Sequence, residues 1–175
     1  SAARVHSART KARKLPGMQK QDFVETTEFS EQAILDMMNL GVALKACVRA
    51  EYYPALLRKK CIGLMLPGMP ALYDSMCEKA IYQLGGSVGR FSLPLDPPDT
   101  LREAAMQLSR AFDLIIVRCE RHETLLALGK YAEIPIVNAG SSFSLPVQEI
   151  ADLITMFEHL PREKKLDSCK AVFYG

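Results

Sequence analysis

The chain has 175 residues and a mass of 19.5 kDa, enough for one domain with a sizeable core. Its 49% hydrophobic and 24% charged residues match a globular fold, and no apolar run approaches the roughly 18 residues a membrane span needs. A net charge of +2 is too small to imply a polyanionic partner, so nucleic acid is disfavoured. The five cysteines, Cys47, Cys61, Cys77, Cys119 and Cys169, are scattered, odd in number and without a C-x-x-C pair. With only three histidines, this argues for reduced thiols in an intracellular or matrix compartment and against a disulfide framework or a metal site. No cofactor is implied.

In chain order, Ser1–Lys20 carries six basic residues and no acid, and Pro16-Gly17 lies near its end. Such a segment suits an organellar transit-peptide remnant or a solvated tail. With residues 21 and 22 it forms a basic arm, 1–22, ahead of a domain over 23–168. Ser30 offers an N-cap, and Ile34, Leu35, Met38, Val42 and Leu44 recur at helical spacing, which predicts a helix from Ser30 to about Ala50. From there the pattern alternates. Strands are predicted over Cys61–Leu66, Val88–Leu93, Leu114–Cys119, Ile134–Asn138 and Ala171–Tyr174. Helices fall near Leu72–Leu84, Thr100–Ala111, His122–Ala132 and Pro146–His159. This is the signature of βαβ units: a single three-layer α/β domain, with a parallel β-sheet flanked by helices.

Right-handed crossovers place every strand-to-helix loop on one edge of such a sheet, so a ligand site is expected from 67–75, 93–99, 118–121 and 139–148. Arg118 ends an apolar strand and aims a fixed cation at that edge, for a ligand or for a salt bridge to Glu120 or Asp74. Asn138 and Gln148 could add hydrogen bonds there, or cap local backbone. The turn 67–74, PGMPALYD, contains no Ser, Thr, Lys or Arg. An anion site in the expected place thus lacks its polar residues. Cys77, in the first turns of the following helix, is either core filler or a stabilised thiolate, and core is favoured. His122 with Glu123 is expected to be a helix-start pair.

Several segments agree in order and spacing with one family. They are LGGSVGRFS (84–92), DLIIVRC (113–119), YAEIPIVNAG (131–140) and LPVQEIADLITMFEH (145–159). The sequence resembles the amino-terminal, carbamoyl-phosphate-binding domain of the aspartate/ornithine carbamoyltransferases. GGSV and VNAG lean towards the aspartate branch, while the last helix fits either. The resemblance implies a transcarbamoylase-like fold and makes KAVFYG, within 169–175, the start of a second, acceptor-binding domain. The family's phosphate-gripping Ser-Thr-Arg-Thr-Arg falls on Pro70, Ala71, Leu72, Tyr73 and Asp74, all changed. Its His-Pro-x-Gln reads Leu145-Pro146-Val147-Gln148, so the polarising histidine is replaced by Leu145 while Gln148 is kept. Arg118 matches the family's arginine. The counterpart of a mobile loop, 92–98, is shorter and has no lysine.

An acid such as Asp74 about 4 Å from a phosphate charge repels it by roughly 4 kcal/mol at an effective dielectric near 20. Losing a polarising donor costs about 2.7 to 4 kcal/mol of transition-state stabilisation. The expectation is a catalytically inactive relative with no catalytic residue of its own, serving as a structural subunit of a larger complex. Its partners would be other protein subunits, or copies of itself through family-type trimer surfaces. A mitochondrial matrix location is favoured over a cytoplasmic one. The alternatives are an anion or amino-acid binding module built on Arg118, Gln148 and Asn138, or residual carbamoyl transfer within an assembly.

Overall fold

The computed structural model describes residues 20–93, 98–160 and 170. The basic arm up to residue 19, loop positions 94–97, Cys169 and the strand expected over Ala171–Tyr174 lie outside them. Helix α1 spans Glu31–Arg49, followed by β1 (Cys61–Met65), α2 (Ala71–Gln83), β2 (Ser87–Arg90) and α3 (Pro98–Ala111). Then come β3 (Leu114–Arg118), α4 (His122–Tyr131), β4 (Ile136–Gly140) and α5 (Pro146–His159). Ser30 caps α1 as its spacing predicts, its Oγ accepting from the Ala33 amide at 3.3 Å. Pro146 opens α5, where a missing N–H costs nothing.

All strand pairings are parallel, in the order β2-β1-β3-β4. Alternation along the inner strands divides the core. Ile62 and Leu64 of β1 join Leu114 and Ile116 of β3 against Ile81 of α2. Met65, Ile115 and Val117 meet Leu101, Ala105 and Leu108 of α3 and Leu125 and Leu128 of α4 on the other face. Sheet residues buried from both sides require helices on both sides. Glycine is needed at two strand positions because the Phe112 ring lies across them. A Cβ on Gly63 would fall 2.8 Å from that ring, and one on Gly89 2.5 Å from it.

β4 runs over Ile136–Gly140 and not over Ile134–Asn138 as the apolar run suggests. Pro135 has no N–H to give a ladder, although its carbonyl accepts from the Ile115 amide at 3.1 Å. The strand is prolonged at its other end by Asn138, whose Oδ1 accepts from the Gly140 amide at 2.8 Å. Its outer edge is closed by the lead-in segment. The Phe23 amide donates to the Ile136 carbonyl at 2.7 Å, and the Asn138 amide to the Phe23 carbonyl at 2.9 Å. Helix α5 packs on β4 and carries α1, whose Gly41 admits the Ile154 side chain.

Asn138 is fully buried, and its Nδ2 donates to the carbonyls of Val24 (3.0 Å) and Ser144 (3.2 Å). Truncation would leave the Val24 carbonyl and the Gly140 amide without this partner, while the Ser144 carbonyl keeps the Ser141 amide and hydroxyl. Asn138→Ala is therefore expected to lower stability by about 2 to 4 kcal/mol in urea denaturation, with an unchanged m-value.

At the opposite end of the sheet, Asp113 accepts from Lys60 Nζ at 2.8 Å and from the Cys61 amide at 2.9 Å. These bonds, the lysine first, hold its carboxyl below the ordinary range. The stabilisation is thus complete above the unfolded carboxylate pKa and is lost as pH falls through the lower folded value. Asp113→Asn is expected to flatten that acid limb in denaturation series run across pH. Near neutrality the cost for so exposed a pair is under about 1 kcal/mol.

Candidate functional site

The carboxyl ends of the four strands open onto the edge where a ligand crevice is expected. Beyond β1 the chain turns through Gly68 at φ +74°, a conformation glycine adopts without strain, and enters α2 behind Pro70, which provides no side-chain cap. A Cβ on Gly68 would lie 3.2 Å from Arg118 Nη1. That nitrogen donates to the Pro67 carbonyl at 2.8 Å, and Nη2 stands 3.6 Å from Glu120. The Arg118 guanidinium is therefore folded onto the turn, with Glu120 as its acid.

Asp74 pairs elsewhere. It accepts from Arg90 Nε (3.0 Å) and Nη2 (2.8 Å), and Nη2 also donates to Glu78 at 2.6 Å. The two carboxylates raise the guanidinium pKa further. The repulsion assigned to Asp74 from sequence must accordingly be corrected downwards, because a cation at 2.8 Å offsets its charge. Ala71, Leu72, Tyr73 and Asp74 form the first turn of α2, and Leu72 is 71% exposed.

Leu145 sits over Gly140, where an added Cβ would be 2.9 Å from Leu145 Cδ2 and 3.8 Å from Arg118 Cγ. The structure thus brings Leu145 and Arg118 together. It does not bring Gln148 or Asn138 to them as ligands. Gln148 donates to Asp152 at 2.7 Å along its own helix, and Asn138 spends its amide inside the fold. Phe143 and Leu145 are 71% and 51% exposed, so the mouth of the crevice is apolar.

One pairing escaped the sequence reading. His122 is buried and pairs not with Glu123 but with Glu25, its Nε2 lying 2.8 Å from Oε1, while Nδ1 lies 2.9 Å from Ser141 Oγ. The Ser141 hydroxyl also accepts from the amides of Phe143 (3.3 Å) and Ser144 (3.1 Å), which makes it a loop bracket. Glu25 is 97 residues away in sequence, so no local signal could have found the pair. Among the described residues no three His, Cys, Asp or Glu side chains gather as metal ligands, and no helix is long and apolar enough to cross a membrane.

The model of the family described as aspartate/ornithine carbamoyltransferase, carbamoyl-P binding domain, matches residues 21–158. The chain belongs to the aspartate/ornithine carbamoyltransferase family. It is 30% identical over 140 residues to an ornithine carbamoyltransferase of Wolinella succinogenes, which covers 78% of this chain and 45% of that one. It is 29% identical over 163 residues to a putrescine carbamoyltransferase of Mycoplasma capricolum, covering 87% and 45%. The structure of the Pyrococcus furiosus ornithine carbamoyltransferase superposes with a TM-score of 0.75 at 26% identity, over 80% of this chain and 46% of that one. The chain therefore spans less than half the length of these carbamoyltransferases. The family description covers both the aspartate and the ornithine branch, so the match does not choose between them.

At the start of α2, burial and then the Asp74 charge push the Cys77 thiol pKa up, and burial and then Cys77 do the same to the Tyr73 phenol. Cys77 is thus held as the thiol, against the thiolate reading. Its alkylation by iodoacetamide, followed by mass spectrometry across pH, is expected to shift to more alkaline pH than that of a free cysteine. Asp74→Asn should move the profile back towards neutrality.

Proposed function

We propose that this carbamoyltransferase-family domain is catalytically inactive and serves as a structural, assembly-forming subunit of a larger protein complex, in mitochondria. The observation that carries the reading is the state of the crevice. Two guanidinium groups at its edge are engaged within the chain, Arg118 on the Pro67 carbonyl and Arg90 on Asp74 and Glu78. The positions that would grip phosphate or polarise a carbonyl instead hold Pro70, Ala71, Leu72, Tyr73, Asp74 and Leu145, with Leu72 and Leu145 exposed. Exposed apolar side chains clustered at one edge suit protein contact better than anion binding. A basic, acid-free leader supports the mitochondrial assignment.

A sensor of small anions built on Arg118, Gln148 and Asn138 has less behind it, because the last two donate to groups inside the chain. Titration calorimetry separates the readings. The native protein is expected to give no heat with carbamoyl phosphate or phosphate at millimolar concentration. The combined substitutions Pro70→Ser, Leu72→Arg, Tyr73→Thr, Asp74→Arg and Leu145→His are expected to recover phosphate binding. Labelled carbamoyl transfer by the native assembly, or a partner-free monomer on purification from its source, would overturn the proposal.

A further inference from the structure

The sheet has an open side away from the former ligand crevice. Strand β2 is its edge, and among the described residues nothing pairs with it beyond β1. The Ser87 amide donates to the Lys60 carbonyl (2.9 Å) and the Phe91 amide to the Leu64 carbonyl (3.2 Å), so odd-numbered positions of β2 face β1. The alternation of a parallel ladder then turns the backbone N–H and C=O of Val88 and Arg90 outwards. Such an edge is a template for another extended chain.

Beside it runs a groove of about 530 Å³ between β2 and α2. Its helical wall is made by Ser75, Glu78, Lys79 and Tyr82, one face of α2 at helical spacing, and its floor by Ser87 and Val88. Tyr82 is 79% exposed. The Arg90 side chain crosses to Asp74 and Glu78, which closes one end of the groove and consumes the acid that lines it. At the other end lies the basic turn of Arg58 and Lys59, whose backbone approaches Gly85. Arg58, Lys59 and Lys79 make no ion pair among the described residues. They lie on an otherwise acidic domain. The six basic residues of Ser1–Lys20 exceed the net +2 by four, so residues 21–175 carry −4.

From this we infer that β2 is a docking edge for an extended, acidic segment of a partner protein, added to the sheet as a fifth strand. The outward backbone groups of Val88 and Arg90 select an extended chain over a helix. Lys79, Arg58 and Lys59 select acidic side chains on the groove face. On the opposite face, Phe112 and Phe91 lie beside Gly89 and take apolar ones. The bound segment thus alternates acidic and apolar residues. This deepens the assembly reading, on which it rests for its setting.

The test uses the full chain and a blocked, fluorescein-labelled octapeptide of alternating glutamate and valine, followed by anisotropy. Saturable binding is expected, weakened about tenfold or more when lysine replaces glutamate or when Lys79→Glu reverses the groove. Val88→Pro removes an outward N–H without touching the β1 ladder, so it should also weaken binding about tenfold with the circular dichroism spectrum preserved. If that variant fails to fold, the peptide N-methylated at alternate residues gives the same reading on the native protein. No binding at 1 mM, equal binding of the lysine or N-methylated peptides, or polyuridylate binding in place of the peptide would each overturn the inference. So would a concentration-dependent dimer that Val88→Pro abolishes, since the occupant is then a second copy. Failure of the peptide sinks only this strand site, whereas measured carbamoyl transfer sinks only the inactive reading.

Discussion

The parallel register of β1 and β3, both buried from two sides, is the constraint on which the remaining architecture depends. Ile62 pairs with Leu114 and Met65 with Val117, so the inner strands run level and end together. A strand apolar on both faces demands helices on both, and each helix must cross back over the sheet to begin the next strand. Every strand-to-helix turn then falls on the carboxyl edge. That geometry rests on the strands and their crossovers, whatever residues occupy the turns.

At that edge the charges are paired within the chain. Here Arg118 is neutralised by a carbonyl dipole and Glu120, and Arg90 by two carboxylates of α2. Asp74 does not simply repel an incoming phosphate. It supplies, from within the chain, a negative charge for a guanidinium at the same helix start. Arg58 and Lys59 on the turn ahead of β1 and Lys79 of α2 make no ion pair among the described residues, and neither do Arg102 and Arg110 of α3.

The amino-terminal segment has a second structural role. Phe23 bridges to β4, Asp22 Oδ1 accepts from the Ile136 amide at 2.8 Å, and Glu25 reaches His122. Thr26 bonds Glu149 at the start of α5. The strap covers the β4 edge as a short extra strand would, leaving β2 as the exposed edge among the described residues. Asn138 and His122 tie this strap to the loop before α5, the loop that holds Leu145 over Gly140.

Most element positions were readable in sequence because they rest on local periodicity. Ser30 marks the start of α1, Pro146 the start of α5, and the apolar runs at 61–65 and 114–117 announce central strands. The boundary of β4 was misplaced because an apolar side chain at Ile134 says nothing of the backbone donor missing at Pro135. The residue types at 70–74 and 145 were equally legible, since sequence alone decides whether a hydroxyl or guanidinium stands there. Where the remaining polar groups point was not. Arg90 to Asp74, His122 to Glu25 and Asn138 to Val24 join residues 16, 97 and 114 positions apart, and sequence carries no record of such approaches. Residue type determined which side chains stand at the crevice. Only the packing of helices on the sheet decided how their charges are paired and which strand edge is left without a neighbour among the described residues.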